Sequence, residues 1–174
     1  IPVPAGILSA GIVSSSEFSD VTGAISDGVV SFAPEGDGIL VLIYYEEEPL
    51  SVDPMHPDAG DSAIRHFFGR FEERFPGECG DGLNFFFSDE LNFGLADRSF
   101  RNTLPKLWDG RLAEEFRKRK GYDLIPLLTG LFYDIGDITP KVRLDYNDVV
   151  VSLENENYFS KVFEWHEKRG MVYG

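Results

Sequence analysis

The chain has 174 residues, a single cysteine (Cys79) and a formal net charge of −14. This length supports one domain with a core of its own, and one cysteine excludes both an internal disulfide and a cysteine-based metal cluster. So acidic a surface argues against nucleic acid and anionic membrane as partners, because both need basic surface.

No apolar run in the sequence reaches the length of a membrane span. No basic-then-apolar leader opens the chain, which begins without Met and stops on "MVYG". Both ends read as internal cuts from a longer protein, so no localisation is assigned.

Residues 1–50 are β-rich. Two strand-like runs, Val29 to Phe32 and Ile39 to Tyr45, flank the turn formers "PEGDG", a pattern that predicts a hairpin. The second run, "ILVLIYY", is almost continuously apolar, which fits a strand covered on both faces. "SVDPMHPDAG" is a loop, since its prolines forbid a ladder.

From Ala59 to Phe75 the apolar residues Ala59, Ala63, Ile64, Phe67, Phe68, Phe71 and Phe75 recur at helical spacing, predicting a helix with one buried face. "PGECGDG" ends it. The strand "LNFFFSDE" follows, read as buried. A long loop over 91–110 carries Trp108 near its end, and loops of this length are often functional. Helices are expected over 111–120, with Gly121 as C-cap, over 124–132, and from Pro140 to a stop at "KRG" with Gly170 as cap. "MVYG" reads as another strand. Strand, helix, strand, several helices, strand from residue 39 onward argues for parallel strands with crossover helices.

Asp89 and Glu90 close the most apolar strand. At the C-terminal end of a barrel strand they sit where catalytic groups project, and an apolar setting can raise a carboxyl pKa enough for general acid work. The plain alternative is a helix cap or a loop salt bridge. Asp53 and His56 in "VDPMHP" either line a sugar pocket or start a turn and cap the next helix. Trp108 is either a stacking platform for a sugar ring or a core plug. Trp165 and His166 are read as packing and surface residues. No nucleophile elbow, phosphate loop or dinucleotide fingerprint is present.

Four pieces in order, "FFFSDELNFG", "RLAEEFRKRKGYDLIPLL", "VRLDY" and "FSKVFEWHEKRGMVYG", resemble the α-L-rhamnosidase-like glycoside hydrolases, large enzymes with a central TIM barrel. The likeness runs from about residue 20 to the end. It implies an α/β fold: a segment of a (β/α)8 TIM barrel, about strands 3 to 5, preceded by a β-hairpin-rich N-terminal part. The organisation expected is residues 1–50 as a β-rich segment leading into a barrel strand and 51–174 as the β/α barrel segment, one structural unit overall.

The resemblance also implies Glu90 as general acid, Asp89 as its supporting neighbour, and Asp53, His56, Asn92 and Trp108 around the substrate. Carbohydrate is then the partner. Homo-oligomers are an option where a partial barrel leaves open edges. No cofactor is fixed, although the family leaves room for calcium. Glycoside hydrolysis needs two carboxyl groups. The second is expected beyond Gly174, which leaves the 174 residues inactive by themselves. The competing reading is a non-catalytic carbohydrate-binding or structural module derived from such a barrel.

Overall fold

The computed structural model describes residues 1–15, 17–33, 36–47, 52–88 and 106–174. They gather into two compact units, Ile1–Pro49 with Arg98–Val149 and Leu50–Asp97 with Val150–Gly174. The chain thus leaves the first unit near residue 50 and re-enters it for 98–149. No helix of the described residues is long and apolar enough to cross a membrane.

The first unit opens with β1 (Ile7–Val13), β2 (Phe18–Asp20), β3 (Ile25–Ser26), β4 (Val29–Val30) and β5 (Ile39–Tyr44). The expected hairpin between Val29–Phe32 and Ile39–Tyr45 does not form. β4 instead pairs with β3 and β5 pairs antiparallel with β1, giving the sheet order β2-β1-β5. The cause is local. Asp27 (φ 50°) and Gly28 (φ 73°) form a two-residue turn with both central residues left-handed, the geometry that Asp-Gly favours and that matches strand twist. β4 is thereby claimed by β3, and the long β1 is left to complement β5.

β5 is consequently an edge strand among the described residues rather than one covered on both faces. Ile39 and Tyr44 at its ends are exposed and Val41 is buried. Its antiparallel pairing also removes it from the expected parallel series.

The same unit contains α3 (Leu112–Lys120), a 3-10 helix over Ile125–Leu131 and the first part of α4 (Thr139–Glu154). Leu112 and Phe116, four residues apart on one helical face, are completely buried. Gly121 ends α3 in the left-handed conformation expected of a C-cap, its N–H donating to the Arg117 carbonyl. The segment expected as a helix over 124–132 winds as a 3-10 helix and approaches β1 closely. A Cβ on Gly11 would stand 2.7 Å from Thr129 Oγ1.

The second unit holds α1 (Ala59–Ala63), a π turn over Ile64–Phe68, α2 (Gly69–Arg74), β6 (Phe85–Phe86), a second π turn over Asn155–Phe159, α5 (Ser160–Glu167) and β7 (Val172–Tyr173). The helix expected over 59–75 is there, but its single buried face is not. The wider π turn shifts the register, so Phe68 points inward while Phe67, Phe71 and Phe75 are exposed. α5 ends in a Schellman motif. Gly170 (φ 69°) donates to the Glu167 carbonyl and Met171 to that of His166.

β6 and β7 are parallel, the one parallel pair among the described residues. Their ladder extends through Val172 N–H to the Asn84 carbonyl, Gly174 N–H to Phe86 and Ser88 N–H to Gly174 (2.7 Å). The strand expected to be buried is covered on one face only. Phe86 packs edge-on to Phe68 and Phe71, while Phe85 (64% exposed) and Phe87 (69%) stand bare on the other side. Alternation puts successive side chains on opposite faces, and the helices of this unit cover just one of them.

Candidate active site

The strand that carries the candidate acids is held firmly up to Ser88. Asp89, Glu90 and Asn92 follow it in sequence and lie outside the described residues, as does most of the loop over 91–110. Asp53, His56 and Trp108 are described. Asp53 and His56 belong to the second unit and Trp108 to the first.

Asp53 and His56 organise one tight loop. Asp53 Oδ1 accepts the Met55 N–H (3.0 Å) and its carbonyl accepts that of His56, an Asx turn of the kind aspartate makes before a helix. His56 Nδ1 accepts the Asp58 N–H (3.1 Å) and the ring is exposed. Met55 is the buried anchor of the loop. From the π turn, Asn157 Nδ2 donates to the Met55 carbonyl (2.7 Å), and from α5 Lys161 donates to the Pro57 carbonyl (2.6 Å) and pairs with Asp61. Gly60 permits this close seat, because a Cβ there would come within 2.8 Å of the Asn157 carbonyl oxygen.

The loop brings Asp53 beside Glu154, a residue to which the sequence pattern gave no attention. Burial first, and the negative charge of Asp53 second, push the Glu154 carboxyl above the ordinary glutamate range. Such a group keeps its proton to a higher pH than a solvated acid does. The only sequence signal was an acid at the end of an otherwise amphipathic helix, which is commonplace.

The sequence reads His166 as a packing or surface residue. It is buried (1% exposed), at the centre of an aromatic cluster. Phe68 is 4.8 Å away, Trp165 4.9 Å, Tyr173 5.0 Å and Phe86 5.6 Å, between ring centroids. Trp165 is buried with it, its indole under the Arg169 guanidinium, which also pairs with Glu72. The Val162 carbonyl can only accept, so His166 Nδ1 carries the proton in their 2.7 Å contact, and Nε2 has no partner among the described residues.

Burial, aided by the positive charge of Arg169, lowers the His166 pKa below its ordinary 6.5. The unfolded chain therefore takes up this proton at a pH where the folded one still refuses it. The contribution to stability is complete above pH 6.5 and declines as pH falls from there toward the depressed folded pKa. Urea midpoints should drop between pH 7.5 and 5.5, and His166→Phe should flatten that decline. Equal slopes in the two proteins would exclude His166 as its source.

In the first unit Trp108 is half-buried. Its predecessor Leu107 is pinned by Tyr146, whose hydroxyl donates to the Leu107 carbonyl (2.6 Å). The motif pieces "GYDL" and "RLDY" join one another here. Tyr122 Oη donates to Asp145 (2.8 Å), Lys120 and Lys141 pair with the same carboxylate, and Lys141 lies over the Tyr122 ring. Burial alone would raise the Asp145 pKa, but the bonds from Lys141, Tyr122 and Lys120 outweigh it and hold the carboxyl below its usual range. Burial and the Asp145 bond push the Tyr122 hydroxyl up. Arg143 donates to the carbonyls of Gly130 and Tyr133. These residues bond to one another and build a helix-to-helix latch.

Among the described residues, no three His, Cys, Asp or Glu side chains converge as a metal site.

A short parallel strand pair separated in sequence by helices, in a chain that also holds an antiparallel three-stranded sheet, makes a mixed helix-and-strand fold. A family model for α-L-rhamnosidase matches residues 44–174, and the chain belongs to that glycoside hydrolase family. The solved structure of a rhamnosidase from Novosphingobium sp. PP1Y shares the fold, with a TM-score of 0.54 and 18% identity over 95% of this chain. The present chain spans 17% of that protein's length. No curated protein sequence matches.

Proposed function

We propose that this chain forms part of the catalytic domain of a glycoside hydrolase that cleaves α-L-rhamnosides, and that Glu90 is its general acid. The observation that carries this reading is the family match across 44–174, which contains the carboxylate pair directly after the β6 ladder. In this reading β6 and β7 are neighbouring strands of a (β/α)8 barrel. Their helix-covered face, with Phe86 and Tyr173, is the outer one, and Phe85, Phe87 and Val172 face the barrel interior. Parallel barrel strands are covered on both faces, so a bare apolar face on a parallel pair supports this placement.

Glu90 donates its proton to the glycosidic oxygen as the bond to the sugar breaks. A second carboxylate, from outside these 174 residues, either attacks the sugar carbon or activates water. Asp89 supports Glu90, and Asp53, His56 and Asn92 contact the sugar.

The test compares two proteins on an aryl α-L-rhamnoside: the full-length enzyme that contains this sequence, and the 174-residue chain alone. Turnover is expected from the first and none from the second. A folded full-length protein that binds rhamnosides without cleaving them removes the hydrolase assignment, and turnover by the chain alone removes the need for an outside carboxylate.

A further inference from the structure

The outward face of the stretch from Ile64 to Phe75 gathers large apolar side chains and cations. His66, Phe67, Arg70, Phe71, Glu73, Arg74 and Phe75 line an open groove of about 570 Å³. Phe67 is 55% and Phe75 52% exposed. Leaving such side chains in water is unfavourable, and clustered exposed apolar surface commonly marks a contact site. The π turn creates the arrangement, since it sends Phe68 into the core and releases Phe67 to the outside.

Most described cations outside the groove are paired, Lys106 and Arg65 excepted. In a chain with 30 acids against 16 lysines and arginines, partners for a cation are abundant. Every lysine and arginine from Arg111 to Arg169 has a carboxylate or carbonyl partner. Arg70 and Arg74 have none among the described residues, and neither has Arg65 beside them. Among the described residues, two guanidiniums without a partner stand in the groove against the Glu73 carboxylate.

We propose that this groove binds an anionic saccharide, a uronic acid residue whose carboxylate is taken by Arg70 and Arg74 and whose apolar ring face lies on Phe71 and Phe75. The guanidinium fork matches a carboxylate bidentately. Exposed phenylalanines offer the flat apolar surface that the C–H face of a sugar ring needs. A neutral sugar would leave the arginines unanswered, and a purely apolar ligand would bury them unpaired. The saccharide assignment rests on the glycoside hydrolase reading; the charge assignment rests on the groove. Because the chain as a whole repels anions, recognition is set at short range, by contact with the two guanidiniums.

The probe is tetragalacturonate, compared with its full methyl ester, which keeps the rings and removes the charge. Binding to the 174-residue chain is followed by calorimetry. The wild-type chain should bind the acid, and the ester should bind at least about tenfold more weakly. The exposed double variant R70Q/R74Q should lose affinity for the acid to the same extent, F75A should lose about three- to tenfold, and K106Q, an exposed cation elsewhere, should be unchanged.

No affinity of wild type for the acid, equal affinity for acid and ester, or full affinity in R70Q/R74Q each overturns the proposal. So does self-association of the chain that R70Q/R74Q abolishes without any saccharide bound, which would make the face a contact between copies. Equal binding of acid and ester leaves the carbohydrate reading standing and removes the anion site. Binding of the acid by a protein whose full-length form does not cleave rhamnosides does the reverse.

Discussion

Glu90→Gln in the full-length enzyme is expected to lower turnover of a rhamnoside with a poor leaving group by about 10²- to 10⁴-fold, the usual contribution of a positioned general acid. The amide keeps the size of the side chain and its hydrogen-bonding reach but has no proton to give. The loss should therefore depend on the leaving group. A nitrophenolate departs without assistance, so a nitrophenyl rhamnoside should suffer much less than an alkyl or sugar rhamnoside. Folding and KM should change little, because the effect falls on the transition state rather than on binding. The alkaline limb of the pH profile, which reports the acid's ionisation, should vanish with it. Asp89→Asn should keep that limb and lose less. Near-normal turnover of the alkyl substrate by Glu90→Gln would remove Glu90 from the mechanism.

Much of the helical part of the fold was legible in the sequence, for physical reasons that particular residues display. Leu112 and Phe116, four apart, and Val142, Tyr146, Val149 and Val150 along α4 are buried as their spacing requires. Gly121 and Gly170 end their helices with positive φ, the conformation for which glycine is favoured. The β part was harder to read. "PEGDG" drew attention as the turn, yet the two-residue "DG" at 27–28 carries the stronger geometric demand, and a strand as short as Val29–Val30 pairs with whichever neighbour the turn delivers. Register depends on partners that a linear pattern does not name.

The π turns were invisible for another reason. They add one residue to a turn without any residue type that marks them, so the apolar series 64, 67, 68, 71, 75 looked like one stripe and became two faces. The sequence reads His166 with Trp165 as packing and surface residues, standing in "WHEKRG" among charges; its full burial follows from the aromatic rings of Phe68, Phe86 and Tyr173 that tertiary contact brings to it. For the site, the sequence placed Asp53 and His56 in a loop that the structure confirms as a turn, but the raised carboxyl of Glu154 arises from an encounter across a hundred residues. Such an encounter leaves no trace in local spacing.

The largest expected loss of stability is at Phe116. Phe116→Ala should destabilise the chain by about 3–5 kcal/mol, the range for emptying a buried aromatic position. The ring has no exposed surface, and it meets Tyr122 edge-on with centroids 5.0 Å apart. Truncation therefore removes both the buried area and the packing that positions Tyr122 for its bond to Asp145. Total stability of a domain is about 5–15 kcal/mol, so the variant stands near the edge of folding. Tyr122→Phe keeps the ring and removes only the hydroxyl, and should cost about 1–3 kcal/mol, since Asp145 retains its two lysines. Urea midpoints at constant slope distinguish the two variants. The comparison bears on what the family signature means. "FRKRKGYDL" and "RLDY" contain carboxylates, tyrosines and cations that could pass for catalytic groups, yet the structure spends them on one another. If Phe116→Ala and Tyr122→Phe follow the expected order in stability, and the full-length enzyme carrying Tyr122→Phe keeps its kcat, these motifs identify the family through its packing. The chemistry then rests with the residues that follow Ser88. A large fall in kcat without loss of stability in Tyr122→Phe would instead move the latch into the active site.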